Sequence, residues 1–385
     1  MTAQSPPDGR DKVVAKLPQQ LRRELRIRAA TVGIDIQDAV TQGILAWRRT
    51  DGPLAPVDTS RGSSFSTYVP SDLYKDFRAD CSQRGVPYHQ ALGQAIRLWL
   101  DSHPLPRHTR TAAGAPRRIA LANQKGGVGK TALTAGLATA LAEMGHRVLM
   151  VDFDPQGHLT KQLGHDHLPL KGASLTKAMA GEAGQDLRGL TVGVEGHGIE
   201  DRLHLLPACT DGFLLDARLV TSRELRVKET ALEKALADLE KEYDVVVVDC
   251  PPSLGYAMDN ALYYVRTRDG EDEGRSGLVI PVQAEDSSLD AYELLRDQID
   301  SLAGDLKIVI GDLGFVVNLF NPRKGYVVNS SLAGWQSFGT PAVIGIVPDL
   351  KDQREAVRVK QPLLTHAPDS EQADIMRTIA RSITR

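Results

Sequence analysis

The sequence predicts an α/β protein. A doubly wound, mostly parallel sheet spans residues 117–385, and a small α+β module of tandem strand-helix-helix units precedes it. Three observations carry this reading. After Arg117, near-continuous Val/Ile/Leu runs alternate with helical patterns. The stretch 125-KGGVGKT-131 joins such a run to a helix, as a phosphate-binding loop does. Before them, residues 13–49 align on 65–101 without a gap, at an offset of 52.

Bulk properties narrow the function classes. With 42% hydrophobic and 25% charged residues, the 385-residue chain has the composition of a soluble multidomain protein. Cys81, Cys209 and Cys250 lie far apart and form no C-x-x-C pair. That argues against a disulfide framework, a zinc site or an iron–sulfur cluster, and fits a reducing cytoplasm. No run approaches the roughly 20 apolar residues of a membrane span, and MTAQSPPDGR lacks the apolar core of a secretion signal. Residues 1–110 hold 16 Lys/Arg against 11 Asp/Glu, while the rest holds 30 against 38. A basic front on an acidic back hints at nucleic-acid contact.

Taken in order, residues 1–10 read as a disordered tail. Residues 11–50 and 64–102 read as two copies of one unit, joined by a linker over 51–63 that is rich in Pro, Gly and Ser and reads as flexible. Mates include Pro18/Pro70, Gly33/Gly85, Gln42/Gln94 and Trp47/Trp99. In each copy an alternating strand comes first, with Val13, Ala15 and Leu17, or Phe65, Thr67 and Val69, facing inward. The prolines suit a first helical turn, the glycines end that helix, and Asp35 can cap the next. Neither copy can bury a core alone, and each strand edge needs a partner.

This pattern resembles the ribbon-helix-helix family, in which two units pair their strands into an antiparallel ribbon. The resemblance implies that the ribbon enters the DNA major groove, with Lys12, Val14, Lys16, Ser64, Ser66 and Tyr68 facing base edges and the second helices' N-termini holding phosphates. The same strand-helix-helix pair also fits a dimerisation device, and both readings stay open. A second linker, 103–116, separates this module from the remainder.

From Arg117 the expected strands are RRIALAN, HRVLMVDFD, YDVVVVDCPPS, SGLVIPVQ, KIVIGDLGFVVNLF and AVIGIVP, with an amphipathic helix TALTAGLATALAEMG after the first. Ligands of such sheets sit at the strands' C-terminal ends. There the loop's N–H groups, from Lys125 through Gly126, Gly127, Val128, Gly129 and Lys130 to Thr131 and Ala132, face phosphate oxygens. Lys130 is placed for the β/γ-phosphates and Thr131 for Mg²⁺. Asp152 and Asp154 follow one strand and Asp249 another. These carboxylates suit magnesium's water shell and a nucleophilic water, although a lone strand-end aspartate is more often a helix cap.

KGGVGKT, VDFDPQG and VVVVDCPPSLG together resemble the deviant Walker-type ATPases, most closely the ParA partition ATPases, over 117–385. The resemblance implies ATP and Mg²⁺ as cofactors, an ATP-dependent sandwich homodimer and slow hydrolysis stimulated by a DNA-bound, centromere-binding partner. It also implies sequence-nonspecific DNA binding and a cytoplasmic, nucleoid-associated location without a membrane. Under it, Lys125 is the signature lysine that reaches the partner subunit's ATP, and Asp154 positions the hydrolytic water. Asn318, Pro348 and Asp349 fall where adenine is held. Two departures stand out: Ala132 replaces a common second threonine, and Asp349 stands where relatives often carry arginine. Two basic clusters, Arg323 with Lys324, and Lys351, Arg354, Arg358 with Lys360, suit DNA phosphates or an ordinary solvated surface. Two other functions compete. The tail 373–385, with Ile375, Ile379 and Ile383 on one face and Arg377, Arg381 and Arg385 on another, also fits a MinD-like membrane-associated ATPase. An ATP-regulated transcriptional repressor is the third.

Overall fold

The computed structural model describes residues 9–384 except 60–61, 105–114, 183, 197, 223–224 and 286. The predicted tail (1–10) lies mostly outside the described residues, as does much of the 103–116 linker. The chain divides into two compact units, Met1–Thr109 and Arg110–Arg385.

In the first unit, β1 (Arg10–Leu17), α1 (Gln19–Val32) and α2 (Ile36–Arg49) are followed by β2 (Ser63–Pro70), α3 (Ser71–Gln83) and α4 (Tyr88–Ser102). The strands pair antiparallel, with Lys12 opposite Tyr68, Val14 opposite Ser66 and Lys16 opposite Ser64. Alternation works as the pattern requires: Val13, Ala15, Leu17, Phe65, Thr67 and Val69 are buried. The second helices are locked reciprocally, since Trp47 Nε1 donates to Gln94 Oε1 and Trp99 Nε1 to Gln42 Oε1, each at 3.0 Å. Gly43 permits their close approach, because a Cβ there would stand 2.6 Å from the Ala95 carbonyl oxygen.

Two details differ from expectation. Asp35 occupies the N-cap of α2, yet its side chain makes no capping bond; its carbonyl accepts from Asp38 and Ala39 instead. The connection after α2 is docked rather than loose. Gln90 exchanges two hydrogen bonds with the Val57 backbone, and Gln94 donates to the Leu54 and Ala55 carbonyls.

The second unit is an eight-stranded sheet of order β10-β9-β8-β3-β7-β4-β6-β5. Its strands are β3 (Arg117–Leu121), β4 (Val148–Asp152), β5 (Val192–Gly193), β6 (Leu203–Leu206), β7 (Val245–Asp249), β8 (Gly277–Val282), β9 (Asp312–Phe320) and β10 (Val343–Pro348). All neighbours are parallel except β5 and β6. The central strands feed two apolar cores: Val245 and Val247 enter one, Val246 and Val248 the other. The pair β5/β6 escaped sequence reading because its runs are too short for a period. The strand expected from Lys307 starts only at Asp312, Lys307 itself taking a positive φ of 54°.

The helix α5 (Lys130–Glu143), expected to be amphipathic, is buried nearly all round. Its outer side is covered by the C-terminal helix Glu371–Thr384, whose Met376, Ile379 and Ile383 share its core. Gly136 makes room, a Cβ there falling 2.9 Å from Met376 Sδ. Of the three arginines read as one polar face, Arg385 lies outside the described residues and Arg377 does not face solvent. Arg377 is buried, and its Nε donates to Glu143 Oε2 at 2.8 Å.

Candidate functional site

The loop is built between the end of β3 and the start of α5. Asn123 braces its entry: Nδ2 donates to the Pro281 carbonyl at 2.6 Å, and Oδ1 accepts from the Lys125 N–H at 2.9 Å. Gly127 and Gly129 take φ of 76° and 87°, which side chains resist, and Gly129 leads directly into α5. Asn318, from β9, donates to the Val128 carbonyl at 2.8 Å. It fills the space a Cβ at 129 would need, 2.1 Å away. One adenine-side candidate is thereby tied to the loop. Pro348 ends the adjacent strand β10 and Asp349 follows it, the Pro348 carbonyl accepting from Gln372.

The two lysines face different ways. Lys130 is buried; its Nζ turns back to the Lys125 carbonyl at 3.1 Å, and burial lowers its pKa. Lys125 points out of the loop to a cluster past β8, with Nζ 3.0 Å from Glu285 Oε2, 2.7 Å from Ser287 Oγ and 3.3 Å from Ser288 Oγ. Sequence reading missed this cluster, although it follows a parallel strand's C-terminal end, where ligand-side groups gather.

Asp152 and Asp249 end neighbouring strands in direct register. Asp152 Oδ2 accepts from the Thr160 N–H at 2.7 Å and its hydroxyl at 2.6 Å. Asp249 Oδ1 accepts from Thr134 Oγ1 at 3.2 Å, and Thr131 lies beside the same carboxylate. The remaining oxygens, Asp152 Oδ1 and Asp249 Oδ2, are buried without a protein donor. Burial, reinforced by the neighbouring acids, raises the pKa of both. Two orphaned carboxylate oxygens beside a threonine hydroxyl fit a hydrated divalent cation, which needs few direct protein ligands when phosphates supply others. Among the described residues no cluster of three or more His, Cys, Asp or Glu forms a closed metal cage. Asp154 Oδ1 accepts from the Gln156 N–H at 2.9 Å. Its residue lines a cleft of about 320 Å³ bounded by Pro155, Phe213 and Pro251.

The other candidates lie on the first unit's ribbon and on two basic segments of the second unit. Lys12, Val14, Lys16, Ser64 and Ser66 are exposed on the outer face of the first unit's ribbon, with Tyr68 half-buried there. Arg323 and Lys324 are exposed on a short turn after β9. On the helix after β10, Lys351 pairs with Glu355 and Arg354 with Asp349, while Arg358 and Lys360 are exposed. Asp349 thus acts here as an arginine's counter-ion.

Comparison with known proteins identifies the family. The family described as AAA domain matches residues 116–310. The chromosome-partitioning ATPase Soj of Thermus thermophilus is 34% identical over 271 residues, 69% of this chain and 95% of Soj. The chromosome partitioning protein ParA of Myxococcus xanthus is 32% identical over 220 residues, 56% of this chain and 70% of its own length. Among solved structures, the cobyrinic acid a,c-diamide synthase of Mycobacterium smegmatis with bound ADP and magnesium is 28% identical with a TM-score of 0.53, covering 69% of this chain and 93% of that one. A match to Soj over nearly its whole length settles the kinship: the chain belongs to the ParA/Soj family of P-loop ATPases.

Proposed function

We propose that this ATPase works as a DNA-partitioning motor whose ATP-bound form is a sandwich dimer, with Lys125 serving the partner subunit's nucleotide. The observation that carries the proposal is the divergence of the two loop lysines. Lys130 lies within its own loop, and Lys125 leaves it for exposed Glu285. A cation that already points away from its own phosphate loop can exchange Glu285 and the two serines for a phosphate across an interface.

ATP and Mg²⁺ are the cofactors. Thr131, Asp152 and Asp249 would hold the metal and its waters, and the metal would neutralise phosphate charge. Backbone N–H groups from Gly126 to Ala132 bind the β-phosphate region, and Lys130 takes the β/γ oxygens. Asp154, aimed by the Gln156 N–H, orients the attacking water. Lys125 then stabilises the charge that develops in transfer, so turnover depends on dimerisation.

The first unit is proposed to read DNA by sequence, at an operator or a centromere, through Lys12, Val14, Lys16, Ser64, Ser66 and Tyr68. Its paired, outward-facing strands and exposed lysines support that reading. The basic residues Arg323, Lys324, Lys351, Arg354, Arg358 and Lys360 are proposed to hold DNA phosphates without sequence preference. The chain is placed on the nucleoid in the cytoplasm, with a centromere-binding protein as partner. The C-terminal helix spends its apolar face on α5, which weighs against a membrane anchor.

K125A tests the motor. ATP affinity should stay within a few-fold of wild type by titration, while dimerisation in light scattering and hydrolysis are lost. Normal turnover by K125A sinks the assignment.

A further inference from the structure

We infer that the first unit's ribbon recognises a DNA site without two-fold symmetry, its cationic readers all facing one DNA strand. The inference rests on the DNA-reading role proposed above and specifies its target.

The module's interior keeps a dyad. Residues 52 apart are mates, and Val14 and Ser66, which are mates, stand directly opposite each other, so the axis passes between them. The Trp47–Gln94 and Trp99–Gln42 bonds are mates of equal length, 3.0 Å. The inner strand mates Val13/Phe65, Ala15/Thr67 and Leu17/Val69 are all buried.

The outer face has lost that symmetry. Lys12 has Ser64 as its mate, Val14 has Ser66, and Lys16 has Tyr68. Both cations therefore lie on β1 and neither on β2. The second helices differ in the same sense. The N-terminal turn of α2 carries Asp35 and Asp38, with Asp38 paired to Arg10 at 3.5 Å, whereas that of α4 has no acid and exposes His89. Phosphate is favoured at the second terminus and repelled at the first.

A ribbon of two identical strands must present each reader twice, once per half-site, and so selects a palindrome. Fusing the copies in one chain removes that obligation while core packing goes on demanding the dyad. Here the buried mates are apolar but for the small Thr67 and pack compatibly, and the exposed mates differ in charge. Lys12 and Lys16 are four residues apart, about 13 Å along a strand, or roughly four base pairs. Lysine donates to guanine O6 and N7. The target is thus a duplex with guanines about four base pairs apart on one strand, opposite hydroxyl-reading positions.

The test is selection from random duplexes with the full chain, without ATP and at salt that suppresses nonspecific binding. The expected motif is not its own reverse complement and carries strand-biased guanines. K12S/K16S should erase the guanines and weaken binding about tenfold or more. S64K/Y68K, which restores lysine at both mates, should turn the motif palindromic. A self-complementary wild-type motif, or an S64K/Y68K motif as asymmetric as wild type, overturns the inference and leaves the DNA-reading role standing. Unchanged motif and affinity in K12S/K16S overturn both. All four positions lie on the ribbon's outer face, so unaltered circular dichroism is expected to accompany each result.

Discussion

Gly129 is where the nucleotide loop is most exposed to a single change. At φ 87°, an alanine would cost about 1–2 kcal/mol in backbone energy. Its Cβ would also stand 2.1 Å from Asn318 Nδ2, so the amide must move. That breaks the 2.8 Å bond to the Val128 carbonyl and strands a buried donor, for about 1–3 kcal/mol more. Together G129A should disfavour the binding geometry by about 2–5 kcal/mol. At 1.4 kcal/mol per factor of ten, ATP binds roughly 30- to several-thousand-fold more weakly. Calorimetric titration with ATP reads this, and a melting curve guards against global unfolding. The steric half of the argument has its own control. With Asn318 truncated the clash vanishes, so G129A should cost only about 1–2 kcal/mol when compared with N318A as parent. Equal losses in both backgrounds would refute the clash, and native ATP affinity in G129A would refute the loop assignment.

Two further outcomes concern charge. The acids Asp152 and Asp249 have folded-state pKa values raised above the ordinary 3.8, so the nucleotide-free protein binds more protons than its unfolded chain in that window. Their contribution to stability is therefore largest below the ordinary carboxylate value and declines as pH rises through the raised ones. Denaturant titrations at pH 5 and 8 should show D249N with a flatter pH dependence than wild type; an identical slope contradicts the burial argument. R377L removes the buried guanidinium that pairs with Glu143, for a loss of about 3–5 kcal/mol that scanning calorimetry detects. E143L/R377L should recover most of it, and an unshifted R377L transition means that the C-terminal helix is not docked on α5.

The fold class was legible because its signals are local. Alternation in 13–17 and 65–69, the 52-residue repeat and the Val-rich strands each declare themselves within a few neighbouring residues. Local signals also placed Lys130, Asp152 and Asp249 near one another, since parallel strands deliver their C-terminal ends to one edge. Periodicity failed on α5 for a related reason. A helix covered on both sides has no polar face to reveal, and its cover arrives from Glu371–Thr384, more than 200 residues later.

What the sequence left unassigned shares one physical property, partnership across long stretches of chain. Asn318 meets Val128 across 190 residues, Arg377 meets Glu143 across 234, and Lys125 meets Glu285 across 160. Spacing cannot reveal such pairs, yet they decide what the local motif does. The loop's pattern gave Lys125 and Lys130 different roles, but not the surroundings that would support them. Their surroundings separate them: one is desolvated and folded back onto backbone, the other is half-exposed and held by a carboxylate that solvent reaches. A buried lysine can serve only the phosphate that enters its own loop. The half-exposed one can leave Glu285 when a denser negative charge approaches, which is the property that the proposed role across a dimer interface requires.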